Sequence, residues 1–233
     1  MMGTIKVIGF DADDTLWVNG SFFKETESYF CSLMSDYIDA ESLLRELYNT
    51  EMKNLDWYGY GAMAFTLSLI ETAVKVSDNC VSADIINKIL VAGRDILAKP
   101  VTLHSGVSEV LPGLSPDYKL IVVTKGDLLD QERKLAKSGL LPFFDHIEIL
   151  SEKHEANYLR LLKTLNIRPD EFLMVGNSFK SDISPVLETG GMAVYIPCDD
   201  VWQHELSGKP DSHFFEISSM SELPSLLKQY FNA

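Results

Sequence analysis

The sequence predicts an α/β protein with a mostly parallel, doubly wound (Rossmann-like) sheet and an inserted all-helical domain. From residue 118 onward, short apolar runs alternate with helical patterns, and strands joined through helices pair in parallel by right-handed crossovers. Between residues 22 and 97, strand signals are missing and apolar residues recur at helical spacing. We therefore expect an α/β domain of residues 1–17 and 99–233 and a helical domain of residues 18–98.

The first strand is predicted from the apolar run at residues 5–10, which Asp11 ends abruptly. The helical stretch that follows contains three apolar stripes, at residues 41–52, 63–76 and 85–97. A loop is predicted at residues 57–61, where two glycines interrupt the helical pattern. Pro100 closes the helical stretch, because proline cannot continue a helix.

The second half of the chain supplies the rest of the predicted sheet. Further strands are expected at residues 118–124, 147–150, 172–175, 192–196 and 213–217. Helices are expected at residues 127–138, 153–166 and 220–231, with a shorter one that Pro185 opens and Gly190 ends. In the first of these helices, Asp127 suits the N-cap and Gly139 suits the C-terminal stop.

The composition limits the partners of this chain. Its 34 acidic and 20 basic residues give a formal net charge of −14, which disfavours nucleic acid and anionic membranes as partners. No apolar run can span a bilayer and no signal segment opens the chain, so we expect a cytoplasmic protein. We expect a monomer or a homodimer.

Cys31, Cys80 and Cys198 match neither a disulfide framework nor a zinc site, so we expect reduced thiols in or near a core.

Polar residues cluster after the predicted strands, at the sheet edge where α/β proteins bind ligands. Three carboxylates, Asp11, Asp13 and Asp14, follow the first strand within four residues, and crowding them is costly without a compensating charge. The residues after the other strands include Thr124, Lys125, Gly126, Lys153, Gly176, Asn177, Ser178 and Asp182. Carboxylates, hydroxyls, a well-placed lysine and turn amides together suit a phosphate and a hard divalent cation.

In these residues the sequence resembles the haloacid dehalogenase-like hydrolase superfamily, and in particular its phosphatases with a helical cap. Asp11-Ala12-Asp13-Asp14-Thr15 matches the family's first motif, Asp-x-Asp-x-Thr, at a strand end. The later motifs are matched by Thr124, by Lys153, and by Gly176 to Ser178 with Asp182. Four ordered motifs at four strand ends are a specific signal, and residues 18–98 would then be the cap.

The resemblance implies a phosphatase that hydrolyses a small phosphorylated metabolite. Asp11 would be the nucleophile that forms an aspartyl-phosphate, and Asp13 would act as general acid and then as base. Lys153 would neutralise charge on Asp11 and on the phosphoryl group. The substrate-binding groups would be Thr15, Thr124, and the residues Lys125 and Gly126 with their backbone amides.

The resemblance also implies Mg²⁺ as the cofactor. Asp11, the backbone carbonyl of Asp13, Asp182 and Asn177 would be its ligands. Many phosphatases of this kind carry Asp where this chain has Asn177, and an amide supplies no full negative charge. Asp13 argues against dehalogenation, because dehalogenases of the family lack this second aspartate.

Two other functions fit the same residues. A phosphotransferase, such as a sugar-phosphate mutase, would use Asp11 and Asp13 but pass the phosphoryl group to a hydroxyl instead of water. A regulatory protein that binds phosphate without turnover would be supported by Asn177 and opposed by the otherwise intact motifs. Magnesium-dependent phosphate release separates these functions.

Three polar positions also have a structural interpretation. Asp14 is expected to serve the turn, and Lys125 either contacts the substrate or is solvated. Lys153 is predicted in the first turn of a helix, where a cation opposes the helix dipole at a cost of about 0.3–1 kcal/mol, which favours a functional role.

In the 57–61 loop, Tyr58 and Tyr60 could line the substrate entrance, whereas Trp57 is expected to pack within the helical domain.

Overall fold

The computed structural model of the protein describes residues 4–198, 202–205 and 207–231. Its described part contains six strands: β1 (Val7–Phe10), β2 (Lys119–Lys125), β3 (His146–Leu150), β4 (Phe172–Gly176), β5 (Met192–Tyr195) and β6 (Phe215–Glu216). They form one sheet in the order β3-β2-β1-β4-β5-β6, and every neighbouring pair is parallel. The predicted α/β class with a parallel sheet is confirmed.

The helices that the structure describes are α1 (Gly20–Met34), α2 (Ala40–Tyr58), α3 (Ala62–Val76), α4 (Ala83–Ala98), α5 (Val107–Leu114), α6 (Leu128–Ser138), α7 (Glu155–Leu165), α8 (Ser184–Glu188) and α9 (Leu223–Tyr230). The chain divides into two compact units. The sheet unit consists of the described residues up to 18, residues 101–125, and the described residues from 132 on. The helical unit consists of residues 19–100 and 126–131.

The sheet is apolar on both faces, as a doubly wound sheet requires. In β2, Leu120 and Val122 belong to one core cluster, whereas Ile121 and Val123 belong to another. This alternation follows from the two-residue period of a strand, which points successive side chains to opposite faces. Residues of α5 and α9 complete the first core, and residues of α7 and α8 complete the second.

The helical unit has an apolar core of its own. Phe30, Leu43, Leu47, Phe65 and Ile89 are among its buried members, and they come from all four helices α1–α4. Two helices begin at side-chain caps. The Asp39 side chain accepts a hydrogen bond from the backbone N–H of Ser42, and the Ser82 side chain accepts one from the backbone N–H of Ile85.

Several elements differ from the sequence prediction. Helix α2 continues to Tyr58, so the predicted loop at residues 57–61 shortens to residues 59–61. Trp57 is 82% exposed, so the prediction that it packs within the helical domain was wrong. Helix α5 was not predicted, because its eight residues include Pro112 and Gly113, which disfavour helix. Strand β6 is only two residues long.

The cysteines and the helices bear on two further expectations. Cys31, Cys80 and Cys198 are free thiols, as predicted, but Cys80 is exposed and therefore not in or near a core. Among the residues that the structure describes, no helix combines the length and the apolar character needed to cross a membrane.

Candidate active site

The first segment of predicted site residues follows β1, a fully buried strand in the interior of the sheet. Phe10 lies opposite Val122 of β2 and Val175 of β4, and the backbone N–H of Asp11 donates to the carbonyl oxygen of Val175 at 2.9 Å. The chain then turns sharply, and Asp14 adopts a left-handed conformation with φ of 63°. Aspartate tolerates this conformation better than most residues, which agrees with the interpretation of Asp14 as a turn residue.

A buried lysine links two of the predicted site carboxylates. Lys153 Nζ donates to Asp11 Oδ1 at 2.5 Å and to Asp182 Oδ1 at 2.7 Å, and all three side chains are almost completely enclosed. Asp182 Oδ2 accepts a further hydrogen bond from the backbone N–H of Ser178 at 3.0 Å. Two like charges can share this interior because one ammonium lies between them.

The burial of Asp11 and Lys153 also affects their pKa values. Burial raises the pKa of Asp11 to about 7; the ammonium of Lys153 opposes that rise and the carboxylate of Asp182 adds to it. Burial by itself would lower the pKa of Lys153, but Asp11 and Asp182 together raise that pKa above its usual value. Lys153 is therefore charged throughout the physiological range, and Asp11 is harder to ionise than an ordinary aspartate.

Lys153 occupies a different place in the chain from the predicted one. Helix α7 begins at Glu155, with His154 as its N-cap, so Lys153 lies before the helix. The expectation that Lys153 sits in the first turn was wrong, and the dipole argument for its function no longer applies. Its buried position between two carboxylates replaces that argument with a direct one.

Thr15 and Asn177 complete the surroundings of Asp11. Thr15 Oγ1 lies 3.1 Å from Asp11 Oδ2 and 3.3 Å from Asn177 Oδ1. These oxygens therefore converge beside the Asp11 carboxylate, and such hard oxygen donors fit a cation such as Mg²⁺. Within the described residues, no group of three His, Cys, Asp or Glu side chains is arranged to hold a metal ion. A cation would thus depend on the amide oxygen of Asn177 and on backbone oxygen as well as on carboxylates.

Asp13 lies in a different environment from Asp11. Its carboxylate accepts hydrogen bonds from Trp17 Nε1 at 2.7 Å and from Lys134 Nζ at 2.8 and 2.9 Å. Trp17 is fully buried, whereas the Asp13 side chain is 24% exposed. Sequence reasoning missed Lys134, which comes from α6, because no motif spacing connects it with a residue 121 positions earlier.

Two features define the loop after β4: the Asp182 side chain lies very close to Gly176, and several hydrogen bonds hold the turn. A Cβ atom on Gly176 would stand 2.3 Å from Asp182 Oδ2, so only glycine leaves room for this carboxylate. The chain then forms one π-helical turn, Phe179–Ile183, whose N-cap side chain, Ser178 Oγ, accepts from the backbone N–H of Ser181 at 3.0 Å. Tyr158 of α7 donates its hydroxyl to the carbonyl oxygen of Ser181 at 2.9 Å.

Lys125 is neither solvated nor isolated, so the solvated alternative was wrong. Its ammonium donates to Ser181 Oγ at 2.9 Å and to Glu205 Oε1 at 2.5 Å, and its side chain is 11% exposed. Although burial opposes it, pairing with Lys125 lowers the pKa of Glu205 to about 2. Thr124, one residue earlier, is buried at the end of β2, with its hydroxyl 3.2 Å from the carbonyl oxygen of Lys125. Gly126 belongs to the helical unit and has a φ of 128°.

The family described as haloacid dehalogenase-like hydrolase matches residues 5–186 of this chain. The N-acylneuraminate-9-phosphatase of Rattus norvegicus is 28% identical over 138 residues, which cover 55% of this chain and 53% of that protein. This chain therefore spans about half the length of that relative. The glyceraldehyde 3-phosphate phosphatase of Methanothermobacter thermautotrophicus is 24% identical over 203 residues, which cover 82% of this chain and 85% of that protein.

One solved structure gives the same family, and a second gives the same fold. A haloacid dehalogenase-like family hydrolase from Xanthomonas campestris superposes with a TM-score of 0.87 and 36% identity, over 97% of this chain and 91% of that one. A haloacid dehalogenase-like (HAD) hydrolase from Bacillus subtilis, bound to magnesium, superposes with a TM-score of 0.67 and 17% identity, over 97% of this chain and 99% of that one. The second likeness shows the fold alone.

Proposed function

The chain belongs to the haloacid dehalogenase-like hydrolase family, and we propose that it is a magnesium-dependent phosphatase acting on a small phosphorylated metabolite. One observation carries this proposal. Asp11 is buried at the end of β1, its carboxylate lies against Lys153, and a second carboxylate, Asp13, follows two residues later in a more exposed place. A carboxylate held against an ammonium suits a nucleophile, and a second carboxylate that reaches solvent suits an acid/base that exchanges protons with it.

The proposed reaction has two halves on Asp11. A carboxylate oxygen of Asp11 attacks phosphorus, the bond from phosphorus to the leaving oxygen breaks, and that oxygen takes a proton from Asp13. Water then attacks the phosphorus of the aspartyl-phosphate, Asp13 takes the water's proton, and the bond to Asp11 breaks. Lys153, whose Nζ lies 2.5 Å from Asp11 Oδ1, offsets negative charge on Asp11 and on the phosphoryl group in both halves.

The proposed ligands of Mg²⁺ are Asp11, Asp182, Asn177 and the backbone carbonyl of Asp13. Their oxygen-only chemistry, and the convergence of Asp11 Oδ2 and Asn177 Oδ1 on Thr15, support this assignment. When bound, the cation would offset the repulsion between the carboxylate of Asp11 and an anionic phosphate.

We propose that the remaining predicted residues act on the substrate. Thr124 and the backbone amides of Lys125 and Gly126 would bind phosphate oxygens at the end of β2. The helical residues 18–98 would form a cap whose side chains select the substrate. The two relatives are named for phosphate esters of a sugar acid and of a triose, which supports a small phosphomonoester as the substrate class.

Phosphate release from p-nitrophenyl phosphate, with and without Mg²⁺, tests the proposal. Asp11→Asn should lower the rate at least about 10³-fold, because an amide cannot form the aspartyl-phosphate. Asp14→Asn is the matched control, since it removes a neighbouring carboxylate from a turn position that Asn also tolerates, and it should change the rate less than about threefold. A panel of phosphorylated metabolites then ranks the natural substrates.

Three results would speak against the proposal. A parent protein that releases no phosphate with any divalent cation would be a binding protein instead of an enzyme. Activity that survives Asp11→Asn would refute the assigned nucleophile. Transfer of the phosphoryl group to an added sugar hydroxyl, in preference to water, would favour the phosphotransferase.

A further inference from the structure

Glu205 is a largely enclosed carboxylate, 14% exposed, that joins the ends of two strands. Its Oε1 accepts from Lys125 Nζ, and its Oε2 accepts from the hydroxyls of Ser178 and Ser181, each at 2.5 Å. Lys125 ends β2, and the two serines follow β4. Because β1 lies between β2 and β4 in the sheet, Glu205 bridges the strand ends on either side of Asp11.

The segment that carries Glu205 is attached at more than one point. It lies between β5 and β6, and its described residues are 202–205. Lys180 Nζ donates to the carbonyl oxygen of His204 at 2.8 Å. His204 is buried, and its ring contacts the ring of Trp202 edge to face with centroids 4.1 Å apart. The hydrogen bond from Lys180 and those from the two serines hold Glu205 against the loop that contains Asp182.

The contact with Glu205 matters because it neutralises the charge of Lys125 beside the loop that carries Asp182. Lys125 Nζ donates to Ser181 Oγ at 2.9 Å, and Ser181 directly precedes Asp182 in the chain. The side chains of Lys125 and Glu205 are 11% and 14% exposed, so water screens the ammonium poorly. An uncompensated cation there would repel Mg²⁺ at a site where Asn177 supplies an amide and no charge.

We propose that Glu205 is a positioning residue for the divalent cation. It cancels the charge of Lys125 and holds the hydroxyls of Ser178 and Ser181, so that the neighbouring Asp182 keeps its place and the site stays net negative. This inference rests on the metal site of the proposed function. Residues outside the direct ligands often set metal affinity in this way, by orienting ligands and adjusting the local charge.

Titration calorimetry with Mg²⁺ in the absence of substrate tests the inference on four proteins: the parent, Glu205→Gln, Lys125→Met and the double variant. The Glu205→Gln substitution keeps an acceptor for the serine hydroxyls but removes the charge, so Mg²⁺ should bind about 10–100-fold more weakly. The double variant removes both charges, so its affinity should return to within about threefold of the parent. Glu216→Gln is the control, because Glu216 also pairs with a lysine, Lys209, but at an exposed place.

Each outcome decides the matter. Unchanged Mg²⁺ affinity in Glu205→Gln, with a parent that binds Mg²⁺, would overturn this inference and leave the proposed function intact. A parent that binds no Mg²⁺ would overturn the proposed metal site and this inference together. If Glu205→Gln does not fold by circular dichroism, the double variant decides. Its recovery of parental affinity would support the inference, and weaker binding would contradict it.

Discussion

At the scale of single residues, the site depends on one buried lysine. Lys153 is 2% exposed and lies between Asp11 and Asp182, so its ammonium compensates two carboxylates that have lost their water. A buried charge is tolerated only when a partner of opposite sign and good geometry remains. The lysine that we propose to assist catalysis therefore also stabilises the fold around it.

Lys153→Met should destabilise the protein as well as abolish phosphate release. The substitution leaves Asp11 and Asp182 buried without their ammonium, and breaking a buried pair in this way costs about 3–5 kcal/mol. Urea unfolding at pH 7.5, followed by circular dichroism, measures the loss. Lys163→Met, at an exposed position of α7, is the control. A loss below about 1 kcal/mol would show that the carboxylates find other partners.

Single residues also differ in whether the sequence alone predicts their place in the candidate site. Asp11, Asp13, Thr124, Lys153 and Asp182 follow strands directly or belong to ordered motifs, so position along the chain was enough to select them. The partners of Asp13 and Lys125 were missed, because Lys134 and Glu205 lie on other elements, 121 and 80 positions away from them. Such contacts depend on how elements pack, and no local pattern encodes them.

At the scale of elements, periodicity was a good guide where an element has an apolar face. Helices α3 and α4 and the strands β2–β5 were predicted to within a few residues, because burial imposes their spacing. Short elements were not predicted, because they are too short to show a repeated apolar spacing. The π-helical turn Phe179–Ile183 is held by the Ser178 cap and by the hydrogen bond from Tyr158, which are tertiary features. Helix α5 forms although Pro112 opposes it, since four of its residues are buried in the core.

Helix α1 carries a carboxylate, Glu27, that should make the stability of the helical unit depend on pH. Burial raises the pKa of Glu27 to about 7, the nearby Glu51 adds to the rise, and Lys24 opposes it. The folded state therefore keeps a proton that the unfolded chain releases above about pH 4.5. Stability from this group is complete below pH 4.5 and is lost as the pH rises to about 7.

Glu27→Gln should remove this dependence and raise the free energy of unfolding at pH 8 by about 1–2 kcal/mol, an amount reduced by the partial exposure of the side chain. Urea titrations between pH 4.5 and 8 measure the slope. Glu25→Gln, on the exposed side of the same helix, controls for the loss of a carboxylate. An unchanged slope in Glu27→Gln would contradict the prediction.

At the scale of the whole molecule, the sheet order determines which backbone is most protected. Strands β1 and β4 each have two strand neighbours and are buried along their full length, whereas β6 is a two-residue strand with one neighbour, β5. Amides at residues 7–10 and 172–175 should exchange hydrogen only through global unfolding. Hydrogen–deuterium exchange with peptide analysis should find them among the slowest and residues 215–216 much faster. Equal rates in β1 and β6 would refute this order.

The place of β1 in the sheet also has a consequence for synthesis on the ribosome. This strand leaves the ribosome before both of its partners, which are residues 119–122 and 172–175. At about 5–20 residues per second, the roughly 110 residues up to the first partner take about 5–20 s to make. During that time the apolar segment that precedes Asp11 has neither of its partner strands to pair with. Nascent chains of this protein should therefore be clients of chaperones that bind short hydrophobic segments.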